Sequence, residues 1–233
     1  MKNKIGLLFS HFHVREGEQH KFDILSHNIK KFRELDRHFF IVLLGHGIKP
    51  PEYISNEVDC LYWEDDIDKT QIGFGHPKFC IKGCEILIEN QIEKCIKLRA
   101  VDTIGNISMF YDLLDNNDLV LTEQTCLQRK MIGDLLMFGS TSSLLELWSA
   151  SAWDYSKSGL YNLFDNATIL ASQKNMRIEE FLKTFSIFVS PHDIKWYTYD
   201  NNWDSQNSCP RTMFDTCHLW GASAGYQYYG GFR

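Results

Sequence analysis

No stretch of this chain approaches the run of about 18 apolar residues that a membrane-crossing helix requires. The nearest approach to a leader is Ile5-Gly-Leu-Leu-Phe9 behind Met1-Lys-Asn-Lys4, and it stops after five residues at Ser10-His11. That is too short for the apolar core of a signal peptide, so the segment reads as a first buried strand and the expected location is the cytoplasm. Positive charge is also short: 24 Lys+Arg stand against 30 Asp+Glu, a formal net charge of −6. A broad nucleic-acid or anionic-membrane surface needs clustered positive charge, so both are excluded as partners. The seven cysteines (60, 80, 84, 95, 126, 209 and 217) are odd in number and irregular in spacing. Cys80 and Cys84 stand at helical i, i+4 spacing with no second pair, so neither a zinc framework nor a disulfide scaffold follows, and the thiols read as reduced and mostly core-filling. Repeats, low-complexity tracts and Pro/Gly/Ser linkers are missing too, which favours one domain. So are the phosphate-binding loop, the dinucleotide glycine turn, the G-x-S-x-G elbow and the H-E-x-x-H helix; Gly73-Phe-Gly75-His76 is too short for either of the first two.

What remains is an ordinary globular composition, 44% apolar and 23% charged over 233 residues, which disfavours disorder. Strand and helix signals alternate. Ile5–Ser10 reads as a strand, and Phe22, Leu25, Ile29 and Phe32 form one helical face. The continuous run Phe39–Gly45 has the pattern of a strand covered on both sides. Asp59–Trp63 is a shorter strand. After His76-Pro77, where proline suits a first helical turn, Ile81, Cys84, Ile88 and Ile92 make a second stripe. Strands are expected at Cys95–Leu98, Leu119–Thr122 and Leu135–Phe138. Ser143-Leu-Leu-Glu146 has the form of a capping box opening a helix. A further helix is expected over Arg177–Phe188 and a late strand over Ile194–Tyr199. The alternation implies an α/β sandwich around a largely parallel sheet. Such sheets bind ligands beyond the carboxyl ends of their strands.

Those ends are consistently polar: Ser10-His-Phe-His-Val-Arg15, then His46, then Glu64-Asp65-Asp66, then Arg99-Ala-Val-Asp102. An acid ending a strand at the crevice suits an enzyme of nucleotide-sugars, where a carboxylate holds Mg²⁺ or Mn²⁺ against a diphosphate leaving group. Nine histidines invite a metal, but His11 and His13 at a strand end read as a polar loop pair ahead of a pair of metal ligands.

Three blocks resemble the WavE family of lipopolysaccharide-synthesis proteins, glycosyltransferases with a GT-A-like fold. The first runs from His76-Pro-Lys-Phe to Cys95-Ile-Lys-Leu-Arg-Ala-Val-Asp102 and is similar to a helix followed by a strand ending K-L-R-S-D. The second joins Leu119-Val-Leu-Thr122, Gly133-Asp-Leu-Leu-Met-Phe-Gly139 and Leu144-Leu-Glu-Leu-Trp148, resembling "SDMFMFG … LLxLW". The third, Ile178-Glu-Glu-Phe-Leu182, looks like a "PEQYL" helix start. Where the family reads Arg-Ser-Asp, this chain is one residue longer, Arg99-Ala100-Val101-Asp102, and Lys78 stands where the family is Asn/Arg-rich.

The resemblance implies a single domain with a GT-A-like three-layer sandwich around a mainly parallel, mixed sheet. Residues 1–103 would form the nucleotide-binding half, 104–200 the acceptor half and 201–233 a tail. It implies transfer of a sugar from a nucleotide-sugar donor to a glycan acceptor, with Mn²⁺ or Mg²⁺ held by Asp102 and His218. Ser10, His11 and Arg15 would meet the nucleoside. Lys78, Lys97 and Arg99 would meet the diphosphate or sugar; alternation places Lys97 and Arg99 on one strand face, where pairing with nearby carboxylates is the other reading. Asp134 or Glu179 would serve as general base, with Glu180 beside it, although acids in a first helical turn are favourable for stability alone. A non-catalytic carbohydrate-binding module and a nucleotidyltransferase are the rival readings. The aromatic excess, 14% overall with five aromatics in the last fourteen residues, suits either a flap over the sugar or a tail docked on the domain.

Overall fold

A computed structural model describes residues 4–35, 38–65, 72–101, 103–104, 107–126, 129–150, 159–189, 196–198 and 211–212. In chain order the elements are β1 (Ile5–Val14), α1 (His20–Arg33), β2 (Phe39–Gly47), α2 (Glu52–Ser55), β3 (Cys60–Glu64), α3 (Ile72–Glu89), β4 (Lys94–Leu98) and β5 (Thr103–Ile104). Then come α4 (Ile107–Asn116), β6 (Leu119–Cys126), β7 (Arg129–Ser140), α5 (Thr141–Ser149), α6 (Gly159–Gln173), α7 (Ile178–Phe185), β8 (Ile187–Val189), β9 (Trp196–Thr198) and β10 (Arg211–Thr212). Among the described residues seven strands form one sheet in the order β3-β2-β1-β4-β7-β6-β8. β7 is antiparallel to both its neighbours; every other adjacent pair is parallel. The chain is therefore α/β around a mixed, mainly parallel sheet, as the alternation predicts. A small antiparallel sheet, β10-β9-β5, lies apart from it.

Helices cover both faces. On one, α1 buries Phe22, Leu25, Ile29 and Phe32, the expected stripe, against Ile5, Leu7, Phe9, Ile41, Leu43, Ile96 and Leu98, with Ile54 of α2 and Leu114 of α4 beside them. On the other, α3, α5, α6 and α7 cover Leu8, Val42, Leu44, Cys95 and Met137. The period-2 alternation along each strand divides its side chains between these layers, which is why β2 reads as one continuous apolar run. Arg33 fixes the α1 exit by donating to the Phe39 carbonyl at 2.7 Å and to Asp59 at 2.7 Å, while Asp59 accepts the Ile41 amide at 2.8 Å.

Several expected boundaries move, each for a tertiary reason. β1 runs to Val14, not Ser10, because its ladder with β2 resumes at Phe12 after a register shift. α3 starts at Ile72, so Pro77 lies inside the helix, not in its first turn. Its buried face is Phe79, Cys80, Cys84, Ile86 and Leu87, whereas Ile88 of the expected stripe is 43% exposed. The capping box is not formed: α5 starts two residues before Ser143, at Thr141, with Ser140 as N-cap. There the Thr141 hydroxyl donates to the Ile92 carbonyl at 2.7 Å and its amide to Glu93 at 2.8 Å, which sets the start of the helix from outside. The helix expected over 177–188 ends at Phe185. Ser186 is extended, its hydroxyl returning to the Leu182 carbonyl at 2.6 Å, and residues 187–189 pair with β6 as β8. The expected strand at Asp59–Trp63 is offset to Cys60–Glu64, and α4 and α6 form without having been anticipated.

Candidate functional site

The carboxyl ends of β1, β2 and β3 meet the second turn of α3. In β1 the pairing passes from Phe9↔Leu43 to Phe12↔Gly45, so Ser10 and His11 together oppose Leu44 in a β-bulge. His11 takes φ 57, a left-handed backbone that histidine adopts more readily than most residues. The extra residue reverses the side-chain alternation. Ile5, Leu7 and Phe9 face α1 before the bulge, Phe12 and Val14 face it afterwards, and Ser10, His11 and His13 are left toward α3. Ser10, 2% exposed, accepts a hydrogen bond from the Cys80 thiol at 3.3 Å.

His46 of β2 completes the arrangement. It is 1% exposed and stacks on His13 at 4.2 Å between ring centroids and on His11 at 5.5 Å. Phe79 of α3 closes the stack, 5.9 Å from His46 and 6.0 Å from His11, with Tyr62 of β3 edge-on at 6.2 Å. At the rim, Glu64 accepts the Tyr62 hydroxyl at 2.8 Å and pairs with the Lys78 ammonium at 2.5 Å. The result is a stack of planar rings, His46 and Phe79 buried and His11 and His13 half-buried, bordered by one acid and one ammonium.

Partial burial pushes the Glu64 carboxyl up, but hydrogen bonds from Lys78 and Tyr62, with the charges of Lys78 and His46, hold it below the ordinary carboxylate range. A carboxyl lowered on folding stabilises the protein above its unfolded pKa of about 4.3 and loses that contribution as pH falls through the folded value. Lys78→Met is expected to flatten this acid limb. Denaturant-derived stability between about pH 5 and 3 should then fall less steeply than in the unaltered protein, by under about 1 kcal/mol because the Lys78 side chain is 55% exposed. Identical limbs for the two proteins would mean that the pair is inert.

The structure brings Ser10, His11 and Lys78 of the expected ligand residues into this cluster. Ser10 and His11 are strand residues at a bulge, not members of a solvated loop. Arg15 lies just beyond β1, exposed, its amide donating to the Glu18 carboxylate at 3.1 Å. Lys97 is in the core, 1% exposed, with its ammonium 5.2 Å from the centre of the Trp148 ring. Arg99, half-buried, follows the end of β4. Asp134 lies inside β7 and does not precede it: β6 pairs through Leu121↔Met137 and then Glu123↔Ile132, so residues 133–136 face Thr122 alone in a break of the ladder. Its side chain lies outside what is described. Glu179 and Glu180 are exposed in the first turn of α7, lining an open groove of about 460 Å³ with Arg177, Lys183 and Thr184. That groove shares no residue with the strand-end cluster. Asp102, His218 and residues 213–233 of the aromatic tail lie outside the described residues.

His13, His46 and Glu64 stand at the strand ends that the sequence marks, but nothing in it shows three imidazoles stacking; Phe79 and Tyr62 carry no signal beyond apolar periodicity. Among the described residues no group of three or more His, Cys, Asp or Glu is set to hold a metal ion, and no helix is long and apolar enough to cross a membrane. No protein-family model and no curated protein matches this chain.

Proposed function

We propose that the chain is a GT-A-type glycosyltransferase that moves a sugar from a nucleotide-sugar donor to a glycan acceptor, drawing on a cytoplasmic donor pool for surface-glycan synthesis. The observation that carries this reading is the sheet. Strands β3-β2-β1-β4 run in parallel, a single reversed strand, β7, follows, and polar side chains gather where the first three strands end. That is the side on which parallel sheets take nucleotides. In sequence the short β5 opens immediately after Asp102, and it joins the small second sheet.

In this reading the half-buried His11 and His13 border the nucleoside, backed by buried His46 and Phe79, and Lys78 faces the diphosphate while exchanging its bond to Glu64. Displacement at the anomeric carbon with inversion requires a general base for the acceptor hydroxyl, assigned here to Asp134 or Glu179. The described residues do not by themselves form a cation site, so the divalent ion enters only as the requirement that Asp102 and His218 together would satisfy.

A panel of UDP-, GDP-, CDP- and dTDP-sugars, with and without Mn²⁺, tests the reading. The expected product is free nucleoside diphosphate, reduced roughly 100-fold in Asp102→Ala if that acid serves the leaving group. Release of pyrophosphate would indicate a nucleotidyltransferase. Binding of glycan with no turnover of any donor would indicate a carbohydrate-binding module.

A further inference from the structure

α1 is an apolar-faced helix that nevertheless buries two polar side chains, Ser26 and Asn28. A buried amide is costly unless it is hydrogen-bonded, and each of these reaches a distant segment. The Ser26 hydroxyl donates to Glu57, 3.0 Å away, ahead of β3. Asn28, 2% exposed, donates from Nδ2 to the carbonyl of Ala100 at 2.9 Å, across 72 residues of sequence. Ala100 is itself 2% exposed, and Val101 is packed against the same cluster of side chains as α1. The bond falls two residues past the end of β4, where the ladder with β1 has stopped at Phe9↔Leu98. The backbone at Ala100 is thus beyond the register that orients the rest of β4, and α1 supplies the missing constraint.

We infer that Asn28 is a positioning residue: its carboxamide clamps the Ala100 carbonyl and fixes the exit of β4 beside Arg99, the residue expected to meet the donor. The inference rests on the glycosyltransferase reading for what Arg99 does, but the clamp itself is independent of that reading. The donor must come from an amide or a group of similar reach, because a hydroxyl at position 28 is shorter by an atom. A leucine there would keep the apolar contacts and lose the donor.

The test compares Asn28→Leu with Ser26→Ala, which removes the other buried polar group of the same helix and serves as the control for general loosening of α1. Amide hydrogen exchange at residues 99–101 is expected to rise roughly fivefold in Asn28→Leu, the opening that loss of one hydrogen bond permits, and to stay unchanged in Ser26→Ala. Titration with UDP, GDP and CDP in Mn²⁺ should show a matching several-fold weakening for whichever diphosphate the unaltered protein binds, again with no change in the control. Asn28→Gln should restore part of both effects. Unchanged exchange at 99–101 in Asn28→Leu overturns the inference, as does faster exchange in both variants. So does faster exchange without weaker diphosphate binding. If no diphosphate binds the unaltered protein, the glycosyltransferase reading fails, and the exchange comparison alone decides whether the clamp exists. Should Asn28→Leu fail to fold, Asn28→Ser, which shortens the donor, carries the same comparison.

Discussion

Gly45→Ala is expected to cost at least about 3 kcal/mol of stability, against about 1 kcal/mol for Gly17→Ala. A Cβ on Gly45 would lie 2.1 Å from the Phe12 carbonyl oxygen and 2.5 Å from Cζ3 of Trp63. The first of these is a backbone atom in the very pair, Phe12↔Gly45, where the β1–β2 ladder resumes after the bulge. It has no rotamer through which to withdraw. The second belongs to a ring whose indole N–H donates to the Gly47 carbonyl at 3.1 Å and whose edge meets Phe12 at 6.3 Å, so it is held as well. Relief therefore requires β1 and β2 to separate locally, which exceeds the 1–3 kcal/mol of ordinary overpacking. Gly17 supplies the contrast: its φ of +84 penalises any side chain, but nothing lies within 4 Å of the added atom, leaving only the left-handed backbone cost. Thermal unfolding checks both. At about 2–4 °C per kcal/mol for a chain of this size, Gly45→Ala should melt about 10 °C lower. His46 follows Gly45 directly, so the ring stack should loosen in the same variant. Equal effects of the two alanines would mean that β1 and β2 do not meet as described.

The physical origin of that site explains how much of it was legible. The β2 run and the α1 stripe follow from periodicity alone, and the rule that ligands sit beyond strand ends leads to Ser10, His11, His46 and Glu64, whereas Lys78, inside α3, enters only through the family resemblance. The bulge does not follow from anything local. Ser10-His-Phe-His-Val14 is an alternating segment that serves equally as loop or strand, and only its register against β2, some thirty residues away, decides which side each histidine takes. The same holds at the start of α5, where Ser140 and Ser143 are both plausible caps and a bond from Thr141 to the Ile92 carbonyl chooses between them. It holds again at Ser186, where a helical stripe becomes β8 because β6 has an edge to fill. For Lys97, alternation along β4 predicts a face but not what covers it. Two of the blocks that carry the resemblance meet there, since Lys97 comes from one and Trp148 from the other.

Trp148→Ala is the substitution expected to destabilise the core most, by about 3–5 kcal/mol. Trp148 is among the largest fully buried side chains, packed in the layer that joins α3, α5, α6 and α7 to the sheet. The main chain at its position is also fixed, because buried Asn166 of α6 donates to the Leu147 carbonyl at 2.7 Å. The cavity left behind cannot readily collapse, and it opens beside a buried ammonium 5.2 Å from where the ring centre had been. That contact should be worth about 1–2 kcal/mol in a desolvated setting. It can be separated from the cavity by a double-mutant cycle of Trp148→Leu with Lys97→Met, read by denaturant unfolding, in which the two losses should fall short of additivity by that amount. Trp148→Phe, which keeps a ring face, should retain part of the coupling; Trp148→Leu should retain none. Additive losses in the cycle would show that the ring acts on Lys97 only as a space-filler. A measured coupling would mean that Trp148 anchors Lys97 within the core, where Lys97 pairs with Met137 of β7.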